Sequence, residues 1–322
     1  MALSADWDMD SAHSDISDTS SISDHDDECN SRVFPDWNSY RCLITQRGFR
    51  LDTVRDVKEH YQQNIPPDQL DCDLLCGYGR ACAIKDEDAL CKDPGLNDNL
   101  FRGTARDGTK VVLKAVHMQS RELGVVRYLD SPPLRRNSLN RCIHVIEIED
   151  DDIAFIVMEE WTSCFLLNPP CCLRQYWDFV EQVVEHVAFM HQHNIIHADI
   201  SLHNVLADYH GNFAFIDYEI SQRVEDSGPS TDICPRGTEV PPEKERGEKV
   251  DPFKADVWSL GVLLLRGSQH TRTNAPELSY LTRPMLHSNP ANRPSAWMVL
   301  QEVRRLKAKI NENPPIRCPK SH

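Results

Sequence analysis

Apolar positions along the chain fall into a few clear periodicities. Residues 99–117, NLFRGTARDGTKVVLKAVH, alternate on either side of Asp107-Gly108, which predicts a β-hairpin. In its second strand Val112, Lys114 and Val116 share one face, and Val111, Leu113 and Ala115 the other. SRELGVVRYL at 120–129 sets Leu123, Val126 and Leu129 on one helical face behind a Ser120 cap. Ile143–Ile148 and Ile153–Met158 read as strands. The strongest helical period runs through 174–193, with Tyr176, Val180, Val183, Val184, Val187 and Met190 in register. Asn204–Ala207 and Phe213–Ile216 are short strands joined at His210-Gly211-Asn212, and Val257, Leu260, Gly261 and Leu264 mark a buried helix. Nearer the start, Leu51–Gln62 has helical spacing, and Pro66-Pro67 breaks it. CGYGRACAIK at 76–85 looks like a compressed glycine loop before a strand bearing Lys85, but acids and Asp93-Pro94-Gly95 follow instead of a helix.

Composition narrows the class. The 322 residues are 40% hydrophobic, enough for two subdomains or one large domain. The net charge is −15, and −9 of it sits in residues 1–31, which hold nine acids and no Lys or Arg. That Ser- and Asp-rich stretch cannot offset its ordering entropy and is expected to be a disordered tail, with Ser17, Ser20, Ser21 and Ser23 open to acid-directed phosphorylation. The remainder shows no basic face for nucleic acid. The N-terminus lacks a basic region followed by an apolar run, and Trp258–Leu265 is too short to span a bilayer. An intracellular protein, cytoplasmic or nuclear, without a membrane partner is expected. Twelve cysteines then read as reduced thiols, and Cys72, Cys76, Cys82, Cys91 and the Cys171-Cys172 pair match no regular zinc spacing.

The chemistry gathers in HADISLHNVLADYHGNFAFID, residues 197–217. A hairpin between Asn204 and Asp217, with Asp199 just before it, puts an acid, an amide and a second acid near one mouth. That set suits phosphoryl transfer, in which one carboxylate orients a hydroxyl and an oxygen pair holds magnesium. A polar turn between buried strands is the plainer alternative. Lys114, inside an apolar strand, needs a neutralising partner or must snorkel to water from a sheet edge.

His-x-Asp-x-x-x-x-Asn followed by a hairpin and an acid resembles the catalytic loop and magnesium segment of eukaryotic protein kinases. Other motifs of that family follow the same order: VVLK at 111–114, Glu122 in the next helix, Met158-Glu159-Glu160-Trp161 at a hinge, Pro241-Pro242-Glu243, ADVWSLG at 255–261 and NPANRP with Arg293. The resemblance covers about 95–308 and implies an α+β, two-lobed fold with a β-rich N-lobe (92–161) and a helical C-lobe (162–308). These are flanked by the tail (1–31), an extension of unknown packing (32–91) and a C-terminal tail (309–322). It implies transfer of the ATP γ-phosphate to protein Ser or Thr hydroxyls. Asp199 would orient the hydroxyl, Asn204 and Asp217 would bind Mg²⁺, and Lys114 would hold the phosphates with Glu122 positioning it. Met158 as gatekeeper, with Glu159 and Trp161, would meet the adenine. Ser230, Thr231 and Thr238 are candidate phosphosites in the segment after Asp217. Asp256 would tie its helix to the catalytic loop, and Arg293 would pair with Glu243, a pair that on a surface would contribute little. HADIS is also similar to the loop of RIO-type atypical kinases and of aminoglycoside-type phosphotransferases. Against the family's pattern, KDPGLNDN at 92–99 stands where a glycine-rich loop is expected. Ala198 and Ser201 replace an arginine and a lysine, and Asp217-Tyr218-Glu219 replaces Asp-Phe-Gly. A pseudokinase scaffold and a small-molecule phosphotransferase are the alternatives these departures leave.

Overall fold

The computed structural model describes residues 28–64, 76–93, 95–163, 169–208, 210–224, 237–271 and 275–312. The serine-rich part of the acidic tail, Cys72, Ser230, Thr231 and residues 313–322 lie outside them.

The first half of the chain is organised by one antiparallel sheet. After helix α1 (Trp37–Gln46) come strand β1 (Phe49–Leu51), helices α2 (Val54–Asn64) and α3 (Cys76–Ala83), strands β2 (Leu100–Ala105) and β3 (Lys110–His117), helix α4 (Arg121–Leu129), and strands β4 (Val145–Asp150) and β5 (Ile153–Glu159). The sheet order is β1-β2-β3-β5-β4. The Asp107-Gly108 turn forms as expected, with Gly108 at φ +88°, a conformation only glycine adopts freely. The two faces of β3 separate as the alternation requires. Val111, Leu113 and Ala115 pack with Phe101, Phe155 and Val157 under Trp37 and Ile44 of α1. Val116, with Val145 and Ile156, meets Leu123, Val126 and Leu129 of α4 on the other side.

This arrangement corrects several expectations. Leu51 is not helical; it ends β1, whose residues pair with Gly103–Ala105 of β2. The stretch 32–91 is therefore not separate from the sheet: it supplies an edge strand and, through α1, the cover of one face. Trp37 sits 5.2 Å from Phe101 and 5.5 Å from Phe155, ring centre to ring centre, and its indole N–H donates to Asp98 O at 3.1 Å. Residues 28–31, expected in the disordered tail, are placed at the start of α4, where Asn30 Oδ1 accepts from Arg121 N–H, with Cys29 buried. CGYGRACA is helix α3 rather than a loop, and Lys85 beyond it is exposed.

The second half is helical. Strand β6 (Thr162–Ser163) precedes the long helix α5 (Leu173–Gln192), then come β7 (Ile195–Ile196), β8 (Val205–Ala207), β9 (Phe213–Phe215), β10 (Gln222–Arg223) and helices α6 (Pro252–Thr271), α7 (Pro276–Met285) and α8 (Ala296–Glu312). The 3.6-residue period of α5 holds: Tyr176, Val180, Val183, Val184 and Val187 enter one core with Val257, Leu260 and Leu264 of α6 and Val299, Leu300 and Val303 of α8. The β8–β9 hairpin packs on that core through Val205, Phe213 and Phe215. A β-rich lobe and a helical lobe thus meet along one cleft. Among the described residues no helix is long and apolar enough to cross a membrane.

Candidate active site

The cleft between the lobes encloses about 400 Å³. Val112, Ile156 and Met158 line it from the sheet, and Leu206 and Phe215 from the hairpin; Glu159, Glu160 and Trp161 close one end. Lys114, Glu122, Asn204 and Asp217 share the same walls.

Lys114 is 7% exposed and is held by three carboxylates. Its Nζ lies 2.8 Å from Glu122 Oε1 on α4, 2.8 Å from Asp217 Oδ1 after β9, and 3.1 Å from Glu219 Oε1. Burial alone would push the ammonium's pKa down, but the three carboxylates override it and hold the pKa above the ordinary lysine value. The alternative of an edge lysine reaching solvent is excluded, because β3 is an inner strand flanked by β2 and β5.

The hairpin fixes the lower side of the cleft by register. Val205 pairs with Phe215, and Ile216 N–H donates to Asn204 O at 3.0 Å, so Asn204 stands opposite the residue before Asp217. Asn204 Nδ2 donates to Asp199 Oδ2 at 2.8 Å and to Asp199 O at 2.9 Å. That spends the amide's nitrogen and leaves its oxygen for another partner. The other Asp199 oxygen accepts from Thr238 N–H, so Thr238, a candidate phosphosite, is pinned here by its backbone. Gly237 makes this possible: a Cβ there would lie 2.3 Å from Ala198 O.

Two non-glycine residues of the site sit at positive φ, Ala198 at +65° and Asp217 at +67°. Such backbone persists only where its surroundings over-determine it. For Ala198 the determinant is Asp256, 2% exposed near the start of α6, whose carboxylate accepts from His197 N–H and Ala198 N–H at 2.9 Å each and from His191 Nε2 at 3.0 Å. The helix is thereby tied to the loop as expected. Ser201, where a lysine was expected, is buried with its hydroxyl unpaired, so it brings no charge to the cleft.

Tyr218 takes a position sequence reasoning did not resolve. It packs in the core beneath α4. Burial pushes the neighbouring His186 pKa down to about 3, so the ring is neutral. Its Nδ1 accepts from Arg141 N–H at 3.2 Å, which leaves Nε2 as the donor to Tyr218 Oη at 3.1 Å. The tyrosine hydroxyl in turn donates to Phe215 O at 3.2 Å and meets Cys142 Sγ at 3.2 Å. Tyr218→Phe removes the oxygen acceptor of the buried His186 ring N–H and leaves it only Cys142 Sγ, a weak acceptor 3.9 Å away. We expect it to destabilise the protein by about 1–3 kcal/mol. A denaturant midpoint equal to wild type would refute this chain of bonds.

Sequence reasoning also missed Glu219's contact with Lys114, and the roof of the cleft. Leu96, Asn97 and Asn99 line the cavity where a glycine loop was expected, at the end of the connection from β1 to β2. Among the described residues, Glu122, Asp217 and Glu219 form the one grouping of side chains whose ligand atoms lie close enough to share a metal ion.

Comparison with known proteins places this cleft in context. Residues 141–271 match the protein kinase domain family. The serine/threonine-protein kinase PrkC of Bacillus subtilis is 32% identical over 123 residues, 36% of this chain and 19% of that protein. Human NUAK family SNF1-like kinase 2 is 32% identical over 170 residues, 51% of this chain and 26% of its own. Mouse sperm motility kinase Z is 26% identical over 168 residues, 49% of this chain and 32% of its own. The matched stretch thus spans a third or less of each of these relatives.

Proposed function

Because the chain belongs to the eukaryotic protein kinase-like family, as a divergent member, we propose that it transfers the ATP γ-phosphate to Ser or Thr hydroxyls of a protein. The observation that carries the reading is the Lys114 ammonium, drawn between Glu122 of α4 and Asp217 of the hairpin at the wall of an apolar cleft.

The residues fit the group they would hold. Val112, Met158 and Leu206 offer flat apolar surface for a purine, and Glu159 to Trp161 supply backbone at its edge. Lys114 offers the cation for phosphate oxygens. Asn204 and Asp217 offer an amide oxygen and a carboxylate, the hard donors that Mg²⁺ takes. When bound, Mg–ATP brings the phosphoryl group and the cationic charge that offsets it. Asp199, fixed by Asn204 and Thr238, accepts the hydroxyl proton and aims the oxygen. Glu122 would keep Lys114 in place, and Asp217 would be the carboxylate available to the cation. Electrostatic pre-organisation of this kind does most of the work in phosphoryl transfer.

Incubating the full chain with Mg²⁺ and γ-labelled ATP and a generic protein substrate tests the proposal. Label transfer is expected, and Asp199→Asn should reduce it by about 10²–10⁴-fold. Transfer that survives that substitution would overturn the role of Asp199. The second reading is a pseudokinase, a nucleotide-poor binding or scaffold module. It is favoured by the uncharged Ser201 and by the Leu96–Asn99 roof in place of glycines. That reading predicts no thermal stabilisation by Mg–ATP and no label transferred, whereas the first predicts stabilisation on the order of 2–3 kcal/mol at a hundredfold excess over Kd.

A further inference from the structure

Lys114 has more acid around it than a phosphate-holding lysine can use. Glu122, Asp217 and Glu219 bring three negative charges within 3.1 Å of one ammonium. Glu122 and Asp217 have places in the proposed chemistry, whereas Glu219 stands where the kinase family carries an uncharged glycine. Left alone, its carboxylate would compete with phosphate oxygens for the same ammonium and repel them.

It is not left alone. Arg32 reaches it from 187 residues upstream, with Nε 3.1 Å from both carboxylate oxygens and Nη2 3.1 Å from Oε2. This is the forked pairing that suits a guanidinium to a carboxylate. The segment carrying Arg32 is anchored independently. Asn30 Oδ1 accepts from Arg121 N–H at 2.8 Å, satisfying one of the open donors in the first turn of α4. Cys29, 5% exposed, donates its S–H to Gln119 Oε1 at 3.7 Å. One short strap therefore touches both the helix that carries Glu122 and the acid beyond Asp217. Asp217 and Glu122 also act on the Arg32 guanidinium through space.

We propose that Arg32 is a positioning residue for nucleotide binding: by pairing with Glu219 it neutralises the surplus carboxylate beside Lys114 and frees the ammonium for phosphate. The inference rests on the nucleotide reading of the cleft. It predicts a specific pattern of loss and rescue. Arg32→Ala should weaken binding of Mg–ADP on the order of tenfold, because Glu219 then falls wholly to Lys114. Adding Glu219→Gln to that variant should restore it, since no surplus charge remains to be neutralised. Glu219→Gln alone should bind at least as tightly as wild type.

Isothermal titration of the full chain with ADP and Mg²⁺, at low and high salt, reads all four proteins. The Arg32→Ala defect should shrink as salt rises. Wild type that binds no ADP at millimolar concentration overturns the nucleotide reading, and this inference with it. Wild type that binds, with Arg32→Ala binding equally well, overturns this inference only. A defect that Glu219→Gln does not rescue also overturns it, because Arg32 would then touch the nucleotide directly or merely support the fold. Glu219→Gln that weakens binding overturns it whether or not Arg32→Ala folds, because Glu219 would then be required and not surplus.

Discussion

Lys114→Met is expected to lower phosphoryl transfer by about 10²–10³-fold, the loss seen when one preorganised charge-stabilising donor is removed from a closed site. It should also make the protein's stability depend on pH in a direction that can be stated beforehand. Burial already pushes the Glu122 carboxyl above the ordinary carboxylate value, against the pull of Lys114. Without the ammonium, Glu122 faces Asp217 and Glu219 with no cation in contact, and its pKa rises further. A carboxyl whose folded pKa lies above its unfolded value contributes stability below the unfolded pKa, and that contribution is lost as pH rises through the folded one. The variant should therefore melt close to wild type near pH 5 and fall behind it towards pH 8, by about 3 kcal/mol, the cost of leaving a buried charge unpaired. Melting curves that track wild type across that range would show that the ammonium is not what neutralises the cluster.

What the sequence made legible was whatever is local or repeated. The period through 174–193 is long enough to identify α5, and Asp107-Gly108 marks its hairpin without help from elsewhere. The pairing of Lys114 with Asp217 became readable only because motifs recur in a fixed order; nothing near residue 114 points to residue 217. Strand β1 was not legible. Three residues, Phe49–Leu51, are too short to show an alternation, and their partner strand begins at Leu100. The helical spacing that follows absorbed Leu51 by default. The strap failed for the opposite reason: Asn30 and Arg32 follow an acidic run whose composition says disorder, and only tertiary contacts with Arg121 and Glu219 hold them. Lys85 and Lys114 both follow glycine-containing stretches. The difference between them lies in burial, which an inner strand of the sheet confers and the exposed stretch just beyond a short helix does not.

The same blindness to burial governs the pair with the largest expected effect on stability. Polar surroundings in sequence make Glu243 and Arg293 look like a surface bridge, yet both side chains are fully buried. Arg293 Nη1 and Nη2 donate to the two Glu243 oxygens at 2.7 and 2.6 Å, and Nε and Nη1 also donate to His287 O and Lys254 O at 2.9 and 3.1 Å. Truncating either residue leaves a charge in the core without its counter-ion. Glu243→Ala or Arg293→Ala is therefore expected to cost about 3–5 kcal/mol, a fall in melting temperature of roughly 6–15 °C for a chain of this size. The acid holds more than itself. It sits in the short helical turn Pro242–Glu245 that follows Gly237 and Thr238, whose backbone rests on Ala198 and Asp199. Loosening it should reduce phosphoryl transfer beyond what partial unfolding accounts for, measured at a temperature where the variant is still folded. Replacing both residues by apolar side chains of similar length, Glu243→Met with Arg293→Leu, should melt higher than either alanine variant, since no uncompensated charge is left behind. Single variants that melt within about 2 °C of wild type would mean that water reaches the pair, and the seam between the Ala198–Asp199 loop and α8 would then be held by packing alone.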